Sequence, residues 1–384
     1  MLKAKRRMGG EFSLFLVLSI VSFLAIGASG LYNCEYIHKC NVCTLDGKLV
    51  KVRRDVDTIN IFELNITSID ENNTFEDIVA IKLSFSIGNN ISSVKKESFK
   101  GLELLRELDL GNNMIPLSPY LFSELKQLRT LNLKNNNLEE IPKDSFAGLS
   151  NLKKLYLQRN RIQLLDNDSF SGLSSLGMLQ LDNNRISNLN AESMCRIPKL
   201  EELHLMNNTL TFVQPGSLAC LRDLKFVNFA FNRLTRLSKT DFEGLTSIET
   251  MNLRNNRIAA IDPETFSHMK KLQTLFMTSN QLTTIDPRLF NGLTALNWLE
   301  LNSNNIDTLE AGSFADLNKL RVLHLEDNNL SEVDREKVGL TNSTDLIIFQ
   351  GNTTTKESSE QESKIMSLYW LIILNGKLWN FNRN

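Results

Sequence analysis

Apolar residues recur along this chain in a fixed frame around asparagine. The frame is L-x-x-L-x-L-x-x-N-x-L, and Leu152, Leu155, Leu157, Asn160 and Ile162 give a clean copy of it. The asparagine returns at Asn113, Asn136, Asn160, Asn184, Asn208, Asn232, Asn256, Asn280, Asn304 and Asn328, with a first interval of 23 residues and eight further intervals of 24. Self-similarity at this period marks a solenoid, in which each repeat buries its apolar side against the next.

Each position of the frame has a physical job. Leucines at the first, fourth and sixth places point inward from a short strand, and successive coils stack these strands into a parallel sheet at ~4.8 Å spacing. Parallel strands need a return path. The second half of each coil supplies it, with inward pairs such as Ile141 and Phe146, or Leu165 and Phe170. Phe99, Phe122, Phe146, Phe170, Phe242, Phe266, Phe290 and Phe314 recur there, with Met194 and Leu218 in two coils, so a spine of large side chains is predicted. The asparagine stands where strand bends into return path. A buried bend leaves backbone groups unpaired at ~1–3 kcal/mol each, and an amide side chain can both donate and accept. Asp262-Pro263 and Asp286-Pro287 carry the cap residue and first-turn proline of helix starts, so short helical turns are predicted on the return path. The predicted fold class is an α/β solenoid.

The ends of the array are less regular. Val56, Ile59, Ile61, Leu64, Ile66 and Ile69 keep the apolar spacing, with Leu64 in place of the asparagine. Ile81, Leu83, Phe85 and Ile87 alternate as a strand does. Asn89 then comes one residue early relative to Phe85 and Ile87, which predicts a register irregularity. A last weak copy has Ile347, Phe349 and Asn352. The organisation expected is a leader over 1–30, a cysteine-bearing cap segment over 31–55, about 12 coils over 56–352, and a polar linker with a short apolar tail over 353–384.

Composition changes the picture at the ends. Lys3, Lys5, Arg6 and Arg7 precede an apolar stretch from Leu14 to Ile26, and Ala28-Ser29-Gly30 offers small residues at a cleavage site. That stretch is short of the ~18–20 residues a spanning helix needs, so a cleaved secretory signal and a secreted, extracellular protein are expected. The thirty leading residues hold four basic and one acidic side chain, so the remainder of the chain has a net charge of −4. That balance argues against a nucleic-acid partner. Asn65, Asn72, Asn90, Asn167, Asn207, Asn329, Asn342 and Asn352 begin N-x-S/T sequons, as a glycoprotein would. Cys34, Cys40, Cys43, Cys195 and Cys220 are the disulfide candidates, and their odd number leaves a free thiol or a disulfide-linked oligomer open. Cys195 and Cys220 follow the spine positions Met194 and Leu218, one coil apart, close enough for a bridge. Among the other three, Cys34–Cys43 and Cys34–Cys40 are the easier local pairs. The run from Ile365 to Leu374 is too short to span a bilayer, and whether it anchors or pairs the chain stays open.

With this frame at 24-residue spacing and F-x-x-L in the return path, residues 56–352 resemble the extracellular leucine-rich-repeat family of the typical class, most of all secreted arthropod repeat proteins and Toll-type receptor ectodomains. The resemblance implies a horseshoe with a concave parallel sheet and convex loops or short helical turns, which usually binds a protein ligand or co-receptor. Two departures stand out. Extracellular members often carry a four-cysteine N-terminal cap, where this chain has Cys34, Cys40 and Cys43, and a cysteine-rich C-terminal cap, while no cysteine lies beyond Cys220.

Binding residues are expected among the strand positions between the inward leucines. Tyr156, Met178, Met206, Phe226, Phe276 and Trp298 fall there, and Phe231 lies just beyond its strand. Large apolar groups facing water in neighbouring coils predict a partner-binding patch. A glycan at Asn207 would shield part of it. His204 and His324 hold equivalent strand positions, but five coils or roughly 24 Å apart, so they share no metal. No catalytic motif appears, and Glu107, Asp109, Glu202 and Glu300 read as a solvated face. Neither enzyme activity nor a cofactor is expected. The functions that follow are protein binding by a secreted glycoprotein, in innate immunity or signalling, or alternatively a membrane-tethered receptor or adhesion ectodomain, or a structural matrix component.

Overall fold

The leucine frame folds as its spacing dictates. The computed structural model describes residues 23–27, 30–37, 40–53, 57–69, 74–75 and 78–348. Phe349, Asn352, Asn72, Val56 and the 353–384 tail lie outside them. The described chain forms two compact units. One runs up to Asn232 and takes in Thr240–Thr246, and the other holds Arg233–Lys239 and the residues from Ser247 on.

In the first unit, Thr58–Asn60, Lys82–Ser84, Glu107–Asp109, Thr130–Asn132, Lys154–Tyr156, Met178–Gln180, Glu202–His204 and Phe226–Asn228 stack as parallel strands. In the second, Thr250–Asn252, Thr274–Phe276, Trp298–Glu300, Val322–His324 and Asp345–Ile347 do the same. Leucines at equivalent frame positions pair across the strands, as Leu155 does with Leu131 and Leu179. These leucines and the phenylalanine spine are buried, with Met194 and Leu218 filling the two spine gaps. Each leucine contributes about 1.5–3 kcal/mol relative to exposure.

Asn160 shows how the ladder works. Its Nδ2 donates to the carbonyls of Leu157 in its own coil and Leu133 in the coil before, at 2.9 and 3.0 Å, while Oδ1 accepts from the N–H groups of Asn136 and Leu138. Asn184 repeats the pattern through Leu181, Leu157 and Ile162. A second ladder, absent from the sequence reading, runs through the return path. Ser98, Thr265 and Ser313, each just before a spine phenylalanine, donate their hydroxyls to Ile69, Leu237 and Ile285 carbonyls of the preceding coil.

Three expectations change. Leu83, not Phe85, stands opposite Leu108, so Phe85 takes the next inward place and Asn89 arrives one residue late rather than early. Gly88 absorbs the extra residue in a left-handed conformation, φ 66°, where a Cβ would lie 2.7 Å from Glu63 Cα. Ile87 is consequently 53 % exposed. Asn89 still performs the ladder role, donating to Ile61 carbonyl at 2.8 Å. At the far end Leu346, not Ile347, stands opposite Leu323. On the return path, Asp262 and Asp286 start isolated turns rather than helices, closed by Thr265 and Leu289 N–H groups. Short parallel pairs also form there, Arg236–Leu237 with Ala260–Ile261 and Thr284–Ile285 with Thr308–Leu309. Apart from the 3₁₀ turns Lys96–Phe99 and Lys239–Phe242, the helix Ala191–Cys195, capped by the Asn190 side chain, is the helical element among the described residues.

The cap segment is a sheet of its own. Gly30–Ile37, Cys40–Leu45 and Lys48–Arg53 pair antiparallel, and Ser68–Ile69 joins the last of them in parallel. Asp46 and Gly47, both at positive φ, make the two-residue hairpin turn. Phe23–Gly27 adds an antiparallel edge strand from within the stretch read as a leader; the other four strands pair without it. Cys43 is disulfide-bonded, and Cys34 stands opposite it in register. Cys195 and Cys220 form the bridge expected between adjacent coils, with Cα atoms 5.1 Å apart.

Candidate partner-binding face

Side chains between the inward leucines form regular rows because the strands pair in register. In the first unit one row reads Met178, Glu202, Phe226 and the next Tyr156, Gln180, His204, Asn228. Phe226 is half-buried, its ring 4.9 Å from that of His204. Met206 is also half-buried, and its N–H donates to Asp182 Oδ1 at 2.7 Å. Burial pushes the Asp182 carboxyl up, opposed by His204 and by that N–H. Tyr156 and Met178 are buried, not exposed as their register suggested. Strands ~4.8 Å apart let large side chains lie over their neighbours. Burial, then the charges of Glu202 and Glu107, raises the Tyr156 phenol to about 12. Phe231 alone of the first unit's candidates stands well into solvent, 52 % exposed.

The second unit carries a more ordered cluster. Asn252, Phe276, Glu300 and His324 form its central row. Glu300 is buried, against the expectation of a solvated carboxylate. It accepts from Arg254 Nε at 2.8 Å, from Arg254 Nη2, from Thr278 Oγ1 at 2.8 Å and from Trp298 Nε1 at 3.0 Å. Four donors suffice to hold a carboxylate away from water. Arg254, fixed by that carboxylate, lies 4.0 Å from the centre of the Phe276 ring, a cation–π contact. Trp298 is buried, 8 % exposed, and its ring lies 5.5 Å from His324. His324 Nδ1 donates to Glu326 Oε1 at 2.9 Å. Phe276 is half-buried. Sequence reading singled out Phe276 and Trp298 and missed Arg254, Thr278 and Glu326. The available signal was Trp298-x-Glu300, two side chains on one face with a threonine one coil away and an arginine two coils away.

The remaining site candidates fall as follows. Asn65, Asn90, Asn167, Asn207, Asn329 and Asn342 are all exposed, whereas none of the ten ladder asparagines begins a sequon. Among the described residues no three metal-ligating side chains cluster, and no helix is long and apolar enough to cross a membrane.

In each unit a stacked array of parallel strands presenting one row of side chains per frame position defines a repeat-built scaffold of the kind typical of protein-binding domains. The sequence profile described as leucine rich repeat matches eight overlapping stretches from 87–138 to 295–349, and the chain belongs to that family. Its members generally serve as non-enzymatic interaction scaffolds. Against curated protein sequences the chain has no significant match. Among solved structures it is similar to TLR13 in a complex with ssRNA13, at 22 % identity and TM-score 0.64 over 77 % of this chain and 48 % of that one. The chain thus spans about half the length of that receptor. It is also similar to an internalin of Listeria monocytogenes, at 23 % identity and TM-score 0.59 over 77 % of this chain and 82 % of that one. A leucine-rich-repeat protein of Leptospira interrogans matches at 25 % identity and TM-score 0.58, over 77 % of this chain and 78 % of that one.

Proposed function

We propose that this chain is a secreted glycoprotein that binds an extracellular protein partner through the outward face of its parallel strands. The observation that carries this reading is the Arg254–Phe276–Glu300–Trp298 cluster. Its half-buried aromatic is held in place by a buried, fully bonded carboxylate, so little side-chain freedom is lost when a partner covers it. Aromatic and arginine side chains fixed in this way are what protein interfaces use as anchors. Phe226 and Met206 offer a second, less constrained group in the first unit.

Secretion is supported by the basic-then-apolar start of the chain, by the Cys195–Cys220 bridge and by the exposure of every described sequon asparagine. An innate-immune or signalling setting is the first to test. The TLR13–ssRNA13 complex raises RNA as a second class of ligand. Against it stand the net charge of −4 beyond the first thirty residues and the pairing of Lys82 and Arg254 on this face with Glu107 and Glu300.

The full chain expressed in a secretory host is expected in the medium, with sugar on several sequons. Immobilised, it should retain a protein from extracellular fluid saturably and independently of ribonuclease. Retention in the membrane pellet would favour the tethered ectodomain, retention on heparin the matrix component, and ribonuclease-sensitive capture an RNA ligand.

A further inference from the structure

Phe231 has a backbone conformation that its side chain does not favour. It precedes the ladder residue Asn232 and has φ 56°. Asparagine tolerates left-handed backbone, whereas a bulky aromatic there is an outlier. In the first unit the same slot holds Asn112, Asn135, Arg159, Asn183 and Asn207, all at positive φ. Neighbours in this rim row bond to each other. Asn135 Nδ2 donates to Asn112 Oδ1 at 3.1 Å, and Asn207 Nδ2 to Asn183 Oδ1 at 2.8 Å. Phe231 continues the row without a group that could extend these bonds. Half of its surface is in water, so it adds little to the core that would offset the strain.

Its neighbour accounts for it. The Asn207 N–H donates to Ala230 carbonyl at 2.9 Å, which sets Asn207 and Phe231 side by side on the rim. Their φ angles are 55° and 56°, so the two neighbours share one left-handed backbone conformation. Asn207 is exposed, and Thr209 completes its sequon. Of the two Asn207 amide hydrogens, one is engaged with Asn183. A sugar linked to Nδ2 replaces one hydrogen and leaves the nitrogen one N–H to donate.

We propose that Asn207 carries an N-linked glycan and that Phe231 is the platform on which its first sugar packs, the apolar C–H face of an N-acetylhexosamine lying on the phenyl ring. This rests on the secretory reading above. In the linking step the Asn207 Nδ2–C1 bond forms as the C1–O bond of a lipid-diphosphate-linked oligosaccharide breaks. The lipid diphosphate departs and the amide gives up one proton.

The test is a cycle on the secreted full-length chain. Glycopeptide mapping establishes occupancy at Asn207, and thermal midpoints are measured for the wild type, Phe231→Asn, Asn207→Gln and the double variant. Phe231→Asn installs the residue that four of the five other first-unit positions of the row already use, so it keeps the backbone. Without the glycan it should raise the midpoint by relieving the left-handed strain. With the glycan this gain should shrink or reverse, a difference of about 2 °C. Equal shifts in the two backgrounds would overturn the platform while leaving the glycan in place. A bare Asn207 in a chain glycosylated elsewhere would overturn this proposal alone. A chain without sugar at any sequon would overturn the secretory reading with it.

Discussion

Asn184 binds three backbone groups of two coils with one amide, and no apolar residue of its size can replace it. Asn184→Ala leaves these groups unpaired in a buried bend. A loss of about 3 kcal/mol or more is expected, read as a lowered denaturation midpoint, while Arg185→Ala, at an exposed position of the same coil, should cost well under half of that. Asp182 gives a pH signature. Its folded pKa is raised, chiefly by burial, so the folded state holds its proton more tightly than the unfolded one. The associated stability is present below the unfolded carboxylate range and is lost as pH rises through the folded value. Asp182→Asn, which keeps an acceptor for the Met206 N–H, should therefore be more stable than the wild type at pH 7 and no different near pH 3. Thermal scans at the two pH values check this. Glu300→Gln strips the charge that holds Arg254 over Phe276 and should cost about 3 kcal/mol.

Single elements carry the next constraints. Gly88→Ala places a Cβ against the Glu63 backbone at a left-handed position, so it should destabilise the second coil by roughly 1–3 kcal/mol, visible as faster hydrogen exchange in Lys82–Ser84. The Cys195–Cys220 bridge closes a separation of 25 residues. Replacing both cysteines by alanine should cost about 2–4 kcal/mol, measured by urea unfolding of oxidised chains. The elements also show what a sequence can reveal. The leucines and ladder asparagines are legible because each answers to one neighbour at a fixed offset. Leu83, Phe85 and Ile87 are not, since three alternating apolar residues fit the strand equally well and only stacking on Leu108 chooses among them. The return-path strand pairs escape because Asp-Pro signals a turn whether or not a helix follows.

At the scale of the whole molecule, the repeat frame fixes the scaffold and leaves function to what varies between the fixed points. Register alone placed Tyr156, Met178 and Trp298 on the outward face, yet their burial depends on the side chains one strand away, and that could not be read from periodicity. The same is true of Glu300, whose four donors come from three different strands or their ends. On the function proposed above, the outward face of this scaffold offers aromatic anchors, Phe276 above all. The most direct test is the affinity of the captured protein partner for Phe226→Ala and Phe276→Ala, separately and together, beside Thr283→Ala on the return path. The account predicts at least a tenfold loss, ~1.4 kcal/mol or more, for the combined face variant with unchanged folding, and wild-type affinity for Thr283→Ala. Equal affinity in all of them would contradict it.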